Sequence, residues 1–170
     1  MRINRMYTLV IGLFYPAVLG SILFNFIDKF KVEEISFKYF LFFLIITVYS
    51  FDYLYTATVD VKKDYSTVHG IIDIIIIILL FLSTKSLMNE TISNIPLLFV
   101  FTKLLALLWE FLNNRDNFAK VVYTIFAVLY ISIYFCFLNN EILLYVFSSI
   151  LCIDILISWQ YEFVKNKLTG

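Results

Sequence analysis

The residues in this chain that could do chemistry are ionisable groups set inside long apolar runs. Lys103 and Asp154 each fall near the midpoint of such a run. A charge at the centre of a bilayer costs about 2.5–3.5 kcal/mol on insertion scales, so groups placed there face the protein interior and pair, or serve a function. Opposite signs at a shared depth predict a buried Lys103–Asp154 ion pair, which either fixes helix register or takes part in function. Asp52, Asp73 and Glu110 lie toward one end of their own runs. Lys103 and Glu110 are seven residues apart, which puts both on one helix face. His69 and Asp73 are four apart and share a face in the same way. If Asp52, Asp73, Glu110 and Asp154 converge, Lys103 offsets only one of them. The surplus must then be relieved by water, by protonation or by a bound cation. That is the composition of a proton or cation path. The alternative is that Asp52, Asp73 and Glu110 reach the membrane interface through water and local thinning of the bilayer. His69, the only histidine, is expected as an interfacial polar residue able to titrate with Asp73.

Catalytic signatures are sparse. One histidine cannot supply paired haem ligands, and there is no zinc-protease motif, no CxxC and no metal-ligand spacing. No GxSxG elbow is present, and Ser66, His69 and Asp73 form a triad only on paper. No cofactor is called for. Cys136 and Cys152 both lie in apolar runs and are expected to behave as small buried hydrophobes.

These groups require elements that cross a membrane. The chain has 170 residues, 62% hydrophobic and 15% charged, with a mean hydropathy of +0.90. A soluble domain is nearer half apolar and a quarter charged, so lipid must serve as the outer solvent here. The 13 basic and 13 acidic residues cancel, which argues against a nucleic-acid partner. About six apolar stretches approach the ~20 residues a spanning helix needs, at residues 7–27, 37–59, 67–87, 95–112, 118–138 and 142–164. The expectation is therefore an all-α bundle forming one transmembrane domain over residues 1–170. Arg2 and Arg5 before the first stretch resemble the start of a signal peptide. The apolar run is too long for one, and no small-residue cleavage site follows. The connections are short, with Asp28–Phe37 and Thr84–Asn94 the longest. Asn94 and Pro96 fit a helix cap followed by a first-turn proline.

With the N-terminus inside, the inner segments carry eight of the thirteen basic residues and the outer loops four, Lys103 lying within a span. The positive-inside rule then places both termini in the cytoplasm and the chain in the plasma (inner) membrane. Gly12, Pro16 and Gly20 recur every four residues in the first span and suggest close helix packing or a moving gate helix. The second, fourth and sixth spans each end in aromatics beside an acid: Phe51, Asp52 and Tyr53; Trp109, Glu110 and Phe111; Trp159, Tyr161 and Glu162. An aromatic belt explains this pattern, and a cation vestibule is the sharper alternative. On length and span count alone the chain resembles small bacterial transporter subunits that hand a solute to a shared energising module. The Ala-rich docking pattern expected in the first span of such subunits is missing. The function expected is a transporter or channel, or a subunit of one, for a proton, cation or small solute. It would work as a homo-oligomer or with a membrane partner subunit. The alternative is a non-catalytic membrane interaction protein, such as an immunity, phage-defence or complex-assembly subunit.

Overall fold

A computed structural model of the chain describes residues 5–29, 37–58, 65–89, 91–113, 117–136 and 142–168. All the regular structure among them is helical. In chain order these are α1 (Arg5–Leu9), a π-helical turn (Val10–Phe14), α2 (Tyr15–Lys29), α3 (Phe37–Thr58), α4 (Thr67–Met88), a 3-10 turn (Ile92–Asn94), α5 (Ile95–Asn113), α6 (Asn117–Cys136) and α7 (Ile142–Leu168). Four apolar helices are long enough to cross a membrane: Met6–Asp28, Thr67–Met88, Ile95–Leu112 and Asn117–Phe135. The apolar stretches described within α3 and α7 are shorter, Phe37–Phe51 and Leu144–Ile157. An isolated backbone in lipid must satisfy its own N–H and C=O groups, and a helix does so within one segment. That is why β-branched runs such as Ile74–Ile78 are helical here.

Proline explains the irregular start. Pro16 has no N–H, so the turn before it loses a hydrogen bond, and its ring crowds the carbonyl one turn back. The chain widens into a π turn, closed by a bond from the Tyr15 N–H to the Val10 carbonyl. From α3, the buried Tyr49 hydroxyl donates to the Tyr15 carbonyl at 2.6 Å. The Tyr15 ring meets Tyr49 and Tyr53 at 5.3 and 5.2 Å between centroids. The bend is thus held against α3 by aromatic packing.

The expected close seam at Gly12, Pro16 and Gly20 does not form within the chain. All three are exposed, and a Cβ added at Gly12 or Gly20 would meet nothing. The glycine that permits close approach is Gly70 on α4, where an added Cβ would run into the Met6 side chain of α1. The reason is rotational. Tyr15 and Ile22 turn inward to fill the core, and this carries Gly12, Pro16 and Gly20 to the opposite side of the same helix.

A long loop over Thr84–Asn94 is also not found. Ser83 and Thr84 bond back to the Leu79 and Phe81 carbonyls, so these polar residues continue α4 to Met88. The chain then turns through the Asn89 N–H to the Lys85 carbonyl and the Thr91 N–H to the Ser86 carbonyl. α5 starts at Ile95, with Pro96 in its first turn, where a missing N–H costs nothing. α5 therefore runs back beside α4, and α6 beside α5. The buried side chains of all these helices form one cluster, with Tyr15, Leu41, Tyr49, Ile77, Phe99 and Tyr130 among its most enclosed members.

Candidate functional site

Two polar centres lie inside this core. The first joins α5, α6 and α7. The Lys103 ammonium sits 2.9 and 2.7 Å from the two carboxylate oxygens of Asp154. Their side chains are only 8% and 2% exposed, so the pair is enclosed by protein. The Tyr130 hydroxyl on α6 donates to Asp154 Oδ2 at 2.8 Å. Lys103 Nζ also lies over the rings of Tyr123 and Phe126, at 5.3 and 5.7 Å from their centroids. Phe99 packs edge-on to Tyr130 and Phe147, Phe147 lies tilted to Tyr130, and together they keep this centre apolar at its margin. Three helices therefore contribute one donor, one acceptor and one cation to a charge-neutral group.

The second centre lies where α4 begins and α5 ends. Tyr65, just before α4, donates its hydroxyl to Asp73 Oδ2 at 2.5 Å. Asp73 is 3% exposed, one turn into the helix beyond His69. Ser66 is the N-cap of α4, and its Oγ accepts from the His69 N–H at 3.3 Å. His69 reciprocates: its Nδ1 accepts the Ser66 backbone N–H at 3.0 Å and lies 2.9 Å from Ser66 Oγ. This is a capping box in which histidine takes the place usually held by Glu or Gln. The His69 ring stands edge-on to Trp109 of α5 at 5.2 Å and tilted to Tyr65 at 6.0 Å. Tyr7 of α1 closes over Tyr65 at 5.4 Å. Glu110, beside Trp109 on α5, is 1% exposed.

The candidate residues thus separate into two groups. Lys103 and Asp154 are partners, as their depth and sign suggest. Asp73 and His69 belong to the other centre, and Glu110 is buried one residue along α5 from Trp109, which packs on His69. Glu110 is seven residues along α5 from Lys103, about 10 Å at helical rise. The Asp52 side chain lies outside the described residues, as do those of Cys136, Trp159, Tyr161 and Glu162. Cys152 is a free thiol, half-buried in α7. His69, in the first turn of α4, is 6% exposed and packs against the rings of Tyr65 and Trp109. Trp109, 5% exposed, packs inward on His69. The paper triad fails on geometry. A catalytic histidine turns Nδ1 to its acid and Nε2 to its serine. Here Nδ1 takes Ser66, and Asp73 takes Tyr65.

Tyr65, Trp109 and Tyr130 were not singled out as members of these centres from sequence. Twelve tyrosines are spread along the chain, and nothing in their spacing marks Tyr65 or Tyr130; Trp109 was noted beside Glu110, but not as a partner of His69. Ser148 is a further buried polar group on α7, and its hydroxyl has no hydrogen-bond partner among the described residues. No group of three or more His, Cys, Asp or Glu side chains able to hold a metal occurs among the described residues. No family model, curated protein or solved structure matches the chain.

Proposed function

We propose that this chain is a six-span membrane protein that conducts or transports protons or a small cation, using the buried carboxylates of Asp73 and Glu110. The observation that carries the reading is the burial of those two carboxylates, 3% and 1% exposed, in a chain whose intramembrane lysine is already engaged by Asp154. Side chains reaching for the interface would turn outward, and these turn into the bundle. Buried acids in low dielectric are neutralised by a proton or a cation, and groups that exchange either are what a path requires. The six-span count is supported by the length of α3 and α7, 22 and 27 residues, which exceeds the ~20 that a bilayer needs. The basic-residue bias supports cytoplasmic termini and a plasma (inner) membrane location. That orientation puts both carboxylates in the cytoplasmic half and the Lys103–Asp154 group near the midplane. The midplane group serves as the clamp that holds α5, α6 and α7 together around the path. With 170 residues there is little room for a wide path in one protomer, so an oligomer is part of the proposal.

The second reading is a non-catalytic membrane interaction protein. The exposed Gly12, Pro16 and Gly20 face favours it, because small residues let a partner helix approach closely. Purified protein in liposomes separates the two. Ion flux above that of empty vesicles, with selectivity for protons or one cation, supports the first. Absence of flux together with a stable co-purifying partner supports the second.

A further inference from the structure

We infer that His69 is a proton-binding site whose occupancy breaks the ring half of the α4 capping box, so that the bond from the Ser66 N–H to the imidazole exists only while the ring is neutral. The inference stands whether or not the chain moves ions. It rests on one bond. The Ser66 backbone N–H can only donate, and it points at His69 Nδ1 from 3.0 Å. Nδ1 must therefore carry a lone pair, which places the ring proton on Nε2. Taking up a second proton turns Nδ1 into a donor. It then faces the Ser66 N–H as donor against donor, and half of the capping box is lost. The new positive charge also lies in the first turn of a helix, at the positive end of its dipole. A Glu or Gln in the same position would keep its acceptor throughout the physiological range.

The consequences extend beyond the cap. Ser66 follows Tyr65, whose hydroxyl holds Asp73. The two residues before α4 are thus clasped to its first two turns by His69 and Asp73 together. Losing the His69 ring half leaves the Tyr65–Asp73 bond and the Ser66 Oγ cap on the His69 N–H. The other titratable groups around this point are Asp73 on α4 itself, Tyr65 before it, Tyr7 on α1 over Tyr65, and Glu110 on α5 next to Trp109.

The test uses the fact that this is the only histidine in the chain. Full-length protein carrying 15N-labelled histidine is placed in nanodiscs and followed by NMR from pH 8 to pH 5. Backbone hydrogen exchange at Ser66 is measured in parallel and corrected for intrinsic rates. The expected result is an Nε2–H tautomer at pH 8 and a single protonation step. Ser66 protection should fall about fivefold in the same step, the weight of one helix cap. His69→Gln keeps an acceptor and should hold Ser66 protection constant across the range. An Nδ1–H tautomer at pH 8, no protonation above pH 5, or protonation that leaves Ser66 protection unchanged would each overturn the inference.

Discussion

Lys103→Met strands the Asp154 carboxylate, and the structure sets how much this should cost. In the native chain that carboxylate is 2% exposed at its side chain and holds two donors, the Lys103 ammonium and the Tyr130 hydroxyl. After the substitution only Tyr130 remains. The stranded group has one escape, which is to take up a proton. For an ordinary carboxyl group at pH 7 that costs roughly 4 kcal/mol, at about 1.36 kcal/mol per pH unit. The penalty is therefore capped near 4 kcal/mol, within the ~3–5 kcal/mol typical of a broken buried pair. Asp154→Asn leaves the Lys103 charge with only the Tyr123 and Phe126 rings and should cost a similar ~3–5 kcal/mol. The double variant removes both charges. It should recover about 2–3 kcal/mol of the summed loss, because neither side chain then needs the other. Reversible unfolding of each variant in mixed micelles with rising SDS measures these differences. If the two single effects simply add, the pair is not a functioning partnership and the account of the clamp fails.

Three further outcomes follow from the packing and the charge pattern. Gly70→Ala should destabilise the α1–α4 contact by about 1–3 kcal/mol through overpacking on Met6, with Met6→Ala restoring most of the loss; an unchanged melting temperature for Gly70→Ala would contradict that contact. Gly12→Leu and Gly20→Leu should leave the monomer folded, because space is open there. If the oligomer forms through this face they should abolish it on cross-linking, and an intact oligomer in both variants would place its interface elsewhere. Reporters fused after Lys63, Arg115 and Lys167 should read as cytoplasmic, and those within Lys29–Lys38 and at Lys85 as external; reversed labelling at two or more of these sites would invert the topology.

The parts of this structure legible in sequence are those marked by rarity. Lysine and aspartate are scarce at mid-span, so Lys103 and Asp154 could be matched by depth and sign. Helix positions followed from hydrophobic length. Rotation about each helix axis was not legible, because lipid and core both accept the same residues. On α4, Ile72, Ile76 and Ile77 are buried while Ile71, Ile75 and Ile78 are exposed. A helix that is apolar all round gives no stripe to read. The same holds for Gly12 and Gly20: spacing shows that they share a face, not whether that face meets this chain or the outside. Tyr130 and Tyr65 could not be found because their roles depend on which of many tyrosines lands beside a buried acid. His69 was legible as a titratable group near Asp73. Its enclosure was not, since that comes from Trp109, forty residues away on a neighbouring helix.

The central claim is that the buried acids Asp73 and Glu110 carry the transported charge, and variant flux in proteoliposomes tests it most directly. Asp73→Asn and Glu110→Gln keep side-chain volume and some hydrogen bonding while removing the titratable group, so the fold should persist by thermal melt. Proton or cation flux driven by a membrane potential should then fall at least tenfold, by about 1.4 kcal/mol or more in barrier, in one or both variants, or lose its dependence on pH. Wild-type flux at the level of empty vesicles, or full flux with an unaltered pH profile in both folded variants, would contradict the claim.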